Sequence, residues 1–162
     1  MYFGVPNKMQ DREAYIILNM IEGLGPVSVR RLVDALGSPR AILEADHEAL
    51  MEARGVGEKL ALKIIAQRDS LDAEVEIAKA ADSGVRIITP LDDEYPEALK
   101  TIHDPPLALY VLGHFLPKDA KSLAIVGSRS TSRYGLNAAD RLAYQLGQVG
   151  FTVVSGLARG TD

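Results

Sequence analysis

Three arginines, a run of hydroxyls and several glycines share two short polar stretches late in the chain, Gly127-Ser-Arg-Ser-Thr-Ser-Arg-Tyr-Gly135 and Ser155-Gly-Leu-Ala-Arg-Gly160. Guanidinium forks pair with phosphate oxygens, hydroxyls add single hydrogen bonds, and glycine lets a backbone approach an anion closely. The phosphate-binding candidates are therefore Gly127, Ser128, Arg129, Ser132 and Arg133 in the first stretch and Ser155, Gly156, Arg159 and Gly160 in the second, with Ser130 and Thr131 as further hydroxyls. Tyr134 is the single aromatic beside them that can stack on a base. Neither stretch holds a histidine, lysine or carboxylate to activate a hydroxyl, so binding rather than catalysis is expected. No cofactor is expected either. After Gly127, Arg129 and Ser132 stand where the dinucleotide fingerprint needs glycines, and no acidic residue follows the second apolar run to hold a ribose. The sequence has no cysteine and three histidines, so a thiolate metal site is excluded. His103 and His114 read as structural, and Asp92-Asp-Glu94 reads as a solvated helix entry rather than a metal site.

The two stretches must be positioned by what flanks them. Leu123-Ala-Ile-Val126 and Phe151-Thr-Val-Val154 are short, apolar and rich in β-branched residues, as buried parallel strands are. Between them Ala139, Leu142, Ala143 and Leu146 form one apolar helix stripe, and Gly150 is a natural stop. The expected unit is β-α-β, with both polar loops at the carboxyl ends of its strands, where open α/β sheets bind ligands.

Charge marks the same region. Residues 1–120 carry 13 Lys/Arg against 20 Asp/Glu, whereas residues 121–162 carry five, Lys121, Arg129, Arg133, Arg141 and Arg159, against Asp140 and Asp162. A small anion-attracting site on an acidic body follows. No apolar run reaches 18 residues and the first residues lack the layout of a secretory signal, so no membrane segment and a cytoplasmic location are expected.

Residues 11–69 read as all-helical. Ala14, Ile17, Leu18 and Ile21 form one stripe, Val29, Leu32, Val33 and Leu36 a second, and Leu60, Ala61, Ile64 and Ile65 a third. Ser38 and Asp46 suit N-caps. Gly23-Leu-Gly25 and Gly55-Val-Gly57 each precede a helix, the pattern of a helix-hairpin-helix whose free N–H groups can hold a phosphate. Gly23, Gly25, Gly55 and Gly57 are thus possible phosphate contacts, although residues 1–84 hold 10 Lys/Arg against 14 Asp/Glu, which favours partner docking or a structural role. A helix over 71–83 aligning Leu71, Val75 and Ala78, a strand Val85–Ile88, a short helix over 97–102 and a strand Ala108–Leu112 follow. The expected division is a SAM-like or helix-hairpin-helix domain over 1–69, a connecting helix over 70–84, and an α/β domain over 85–162.

Ala124-Ile-Val-Gly-Ser-Arg129, Ser132-x-Tyr-Gly135 and Val154-Ser-Gly-Leu-Ala-Arg-Gly160, preceded by Tyr95-Pro96, Pro105-Pro106 and Leu109-Tyr110, together resemble the DNA-processing protein A (DprA or Smf) family. Thr161 departs from the isoleucine more usual there. The resemblance implies an extended Rossmann-like domain with a parallel sheet behind the helical domain. It also implies a protein that binds and protects incoming single-stranded DNA in natural transformation, helps load the RecA recombinase, and dimerises as a full-length member. In the family the sheet continues past the second loop, so the part over 85–162 is expected to be incomplete, with an exposed strand edge prone to pairing with another chain. Two other readings stand beside this one: a Rossmann-like nucleotide hydrolase of the lysine-decarboxylase-like group, whose Gly-Gly-Gly run is replaced here by Ser155-Gly-Leu157, and a chain in which only the helical module acts, as a protein-interaction domain.

Overall fold

The computed structural model describes residues 9–162 and divides into two compact units between Gly113 and His114. The N-terminal residues read above for a signal layout lie outside the described residues.

The first unit opens with α1 (Asp11–Met20), α2 (Pro26–Leu36), α3 (Pro39–Glu44), α4 (His47–Glu52) and α5 (Glu58–Arg68). Local chemistry sets the ends. Ser38 Oγ accepts the Ala41 N–H, Asp46 accepts the Ala49 N–H, and Gly37, at φ +93°, closes α2 by donating to the Val33 carbonyl. The apolar stripes converge on one core in which Ile17, Leu18, Leu32, Ile42, Leu50 and Ile64 are almost wholly buried. Each such side chain contributes about 1.5–3 kcal/mol by leaving water. In the next helix, α6 (Ala73–Asp82), the expected face is corrected: Ala73 and Ala80 are buried, while Val75 is 64% exposed. Asp72 caps α6 through the N–H groups of Glu74 and Val75, starting the helix two residues later than the apolar pattern suggested.

Two strands complete this unit. β1 (Val85–Ile88) pairs antiparallel with β2 (Leu109–Leu112), Val85 opposite Leu112 and Ile88 opposite Leu109. Between them lies α7 (Glu97–Lys100), two residues shorter than expected. The Asp92 triplet is not a solvated helix entry. Asp92 Oδ2 accepts the Thr89 N–H at 2.7 Å and the Thr89 hydroxyl at 2.9 Å, and Oδ1 accepts Arg12 Nε at 2.9 Å, while Arg12 also donates to the Ile87 carbonyl. Glu94 pairs with Arg86. The triplet builds a turn because these donors outcompete the helix start that carboxylates otherwise favour. Just beyond it Tyr95, 1% exposed, donates its hydroxyl to the Pro106 carbonyl at 2.8 Å and fixes the double-proline turn. His103 and His114 are both exposed.

In the second unit a 3₁₀ turn (Pro117–Ala120) leads into β3 (Ser122–Ala124), α8 (Arg133–Gln148) and β4 (Thr152–Val154). β3 and β4 are parallel, Leu123 opposite Val153. Gly150, at φ +87°, ends α8: its N–H bonds the Gly147 carbonyl and the Phe151 N–H bonds the Leu146 carbonyl, a Schellman closure. None of the described residues 114–162 is buried, since one helix on a two-stranded sheet covers a single face. The architecture is a SAM-like helical part followed by a small α/β part with a parallel sheet. Packing breaks at 113/114, later than the sequence division at 84/85, because β1 and β2 form a ladder of their own.

Candidate nucleic-acid interface

The two polar loops leave the carboxyl ends of β3 and β4 and lock into each other. The strand ladder is prolonged by the Ile125 N–H bonding the Val154 carbonyl at 2.9 Å, and the Ser155 hydroxyl donates to the Ile125 carbonyl at 3.1 Å. Beyond it the Thr161 N–H and hydroxyl both donate to the Ser128 carbonyl, at 3.2 and 3.3 Å. The Gly127 N–H donates to the Asp162 carboxylate at 3.1 Å.

This interlock explains three glycines. A Cβ on Gly160, which sits at φ +111°, would collide with the Ser128 carbonyl oxygen and lie 2.7 Å from the Arg129 Cα. One on Gly127 would come within 2.5 Å of the Thr161 side chain, and one on Gly156 within 2.7 Å of the Asp162 carboxylate. Real Cβ atoms do not approach so closely, so these positions let loop approach loop. The serines also have local duties. Ser128 Oγ accepts the Ser130 N–H and donates to the Ser130 carbonyl, and Ser132 caps α8 by accepting the Gly135 N–H at 3.2 Å.

The charges that these loops present to solvent include three arginines. Arg129, Arg133 and Arg159 are exposed, and among the described residues none of them has an ion-pair or hydrogen-bond partner. Arg133 is the first residue of α8, next to the capping Ser132. Tyr134 is 83% exposed. The structure therefore brings all the loop candidates to one end of the parallel sheet, with the three arginines carried on an interlocked loop frame. Sequence reasoning missed Thr161 and Asp162 as the residues that close the frame, for no short-range pattern links Asp162 to Gly127. It also missed Leu157, which is 97% exposed and takes φ +52°, a conformation a branched apolar residue rarely adopts.

The hairpin glycines form a second, separate group. Gly23 and Gly55 take φ +82° and +84°, and Gly25 and Gly57 are the extended N-caps of α2 and α5. The turns are cross-braced. Arg31, on the helix after the first turn, lies over Gly55 and donates to the Arg54 carbonyl, while Lys63 and Gln67, on the helix after the second, meet the Glu22 carboxylate and N–H. Pro26 removes one donor from the first helix start, and Glu58 places a carboxylate at the second. Both features weaken the turns as anion sites.

The family model of the DNA recombination-mediator protein A matches residues 86–162, and that of the SAM-like helix-hairpin-helix tandem matches residues 15–69. The Smf protein of Synechocystis is 32% identical over 152 residues, which are 91% of this chain. The chain belongs to the DNA-processing protein A family. The DNA processing protein DprA of Bacillus subtilis is 33% identical over 87 residues, 53% of this chain and 29% of that protein. The crystal structure of DNA processing protein A from Streptococcus pneumoniae shares the fold at TM-score 0.62 and 22% identity, covering 96% of this chain and 52% of that one. The chain spans 38% of the length of the Synechocystis relative. Among the described residues no helix is long and apolar enough to cross a membrane.

Proposed function

We propose that this chain carries part of a single-stranded DNA site belonging to a DNA-processing protein of natural transformation and recombination. The observation that carries the reading is the set of three exposed, unpaired arginines, Arg129, Arg133 and Arg159, on the interlocked loops. Guanidiniums neutralise phosphates wherever they fall along a strand and read no sequence, which suits a protective binder. Gly127, Ser128, Ser132, Ser155, Gly156 and Gly160 hold those arginines in place and offer the backbone to the strand. Tyr134, and Leu157 at the loop tip, give bases an aromatic face and an apolar contact. Neither loop carries a histidine or lysine to activate a hydroxyl, so the reading is binding rather than turnover. Domains over 1–69, 70–84 and 85–162, a cytoplasmic location, dimerisation of a full-length member and loading of the RecA recombinase belong to the same reading, by family. The hairpin glycines Gly23, Gly25, Gly55 and Gly57 contribute at most single phosphate contacts, because Pro26 and Glu58 oppose them.

A labelled oligo-dT titrated into wild type and Arg129→Ala separates this from the alternatives. The expected result is binding that the substitution weakens several-fold, with no release of base from nucleoside monophosphates. Turnover of a nucleoside monophosphate supports the hydrolase reading instead, and absence of both leaves the helical module as the active part.

A further inference from the structure

Within the first unit an open groove of about 290 Å³ lies along α1 and α2. Buried Val29 and Leu107 line it beside half-buried Val33 and three prolines, Pro26, Pro90 and Pro105. Prolines are rigid and present no N–H, so these walls offer shape and apolar contact at little entropic cost. Tyr15 also lines the groove, and its hydroxyl has no hydrogen-bond partner among the described residues, nor is it sealed from solvent. Two cations complete the lining. Arg30 is exposed and unpaired among the described residues, and Lys100 makes an exposed pair with Glu97 at 2.7 Å, which a competing carboxylate can displace at small cost.

We propose that this groove docks an acidic peptide, a segment of a partner protein that seats one large apolar or aromatic side chain among the prolines and sets a neighbouring carboxylate against Arg30 and Lys100. The volume suits one such side chain with its backbone, and the Tyr15 hydroxyl is placed to bond a peptide carbonyl. A nucleic-acid strand fits less well. The groove offers two cations and a mainly apolar lining, and residues 1–84 as a whole carry 10 Lys/Arg against 14 Asp/Glu, which repels a chain of phosphates but costs a single carboxylate little. Burial, with Asp11 nearby, raises the Tyr15 pKa, so the phenol keeps its proton for donation at neutral pH.

The probe is a phage library of random heptapeptides selected on the immobilised 162-residue chain, with the winners synthesised and measured by fluorescence anisotropy. The recovered peptides are expected to pair a Phe, Leu or Trp with an adjacent Asp or Glu. Arg30→Glu and Lys100→Glu, at exposed positions that leave the thermal midpoint unchanged, are each expected to weaken them at least tenfold. Enrichment of basic or wholly polar sequences, no enrichment at all, binding by either variant as tight as by wild type, or displacement of the peptide by oligo-dT would each overturn the proposal. Loss of oligo-dT binding in Arg129→Ala reads a different site, so the two assignments fail independently.

Discussion

Asp92 is a carboxylate kept ionised by its surroundings. Burial alone would raise its pKa, but the Thr89 N–H, the Arg12 guanidinium and the Thr89 hydroxyl together hold it below the usual carboxylate range. A folded pKa below the unfolded value means that the clamp's contribution is whole above about pH 4 and disappears as pH falls through the folded value. Asp92→Asn should therefore be less stable than wild type by about 1.5–3 kcal/mol at pH 7, the worth of hydrogen bonds to a charged group, as read from unfolding curves. The gap should narrow below pH 4, and a constant gap would mean that the clamp is not electrostatic. Gly160 supports a sharper expectation. With φ +111° and the Ser128 carbonyl where a Cβ would go, Gly160→Ala should strain the loops by about 1–3 kcal/mol and lower oligo-dT affinity, although it removes no charge. An unchanged anisotropy titration would show that the interlock does not hold the arginines. The loop arginines were legible from the sequence by type and spacing. Their frame was not, because Thr161 and Asp162 act across more than thirty residues, and the Asp92 clamp was missed for the same reason, its partner Arg12 lying 80 positions away.

Elements with a local signal were read closely, and those without were not. Apolar periodicity placed α1, α2 and α5, and Ser38 and Asp46 announced their caps, because both signals live within one or two turns. α6 was placed but turned wrongly: an alanine-rich helix has no distinct stripe, so packing against α1 and β1 decides its face. The glycines of α8 separate capping from propensity. Gly150, in the left-handed region as part of the Schellman closure, should lose about 1 kcal/mol on substitution by alanine. Gly147 lies inside the last turn with open space where a Cβ would go, so Gly147→Ala should gain about 0.5–1 kcal/mol. Chemical denaturation of the two variants measures both signs, and equal effects would deny the closure its role. The paired hairpin turns, with Gly23 and Gly55 at nearly the same positive φ and each braced by the helix after the other, form one structural unit rather than two independent phosphate clamps.

Across the whole molecule the chain separates charge along its length, with acidic residues through 1–120 and an excess of cations over 121–162. That separation was fully legible in the sequence, since counting needs no fold. The single-faced cover of the parallel sheet has no such signal, because it depends on which elements pack against the sheet. If Arg129 and Arg159 bind the phosphates of single-stranded DNA, as proposed, the salt dependence of oligo-dT affinity registers it. Each phosphate neutralised adds about 0.7 to the slope of log K against log salt for a single strand. Replacing Arg129 and Arg159 together with alanine should flatten that slope by roughly 1.4 and weaken binding most at low salt. An affinity that falls equally at every salt concentration, with the slope unchanged, would contradict it.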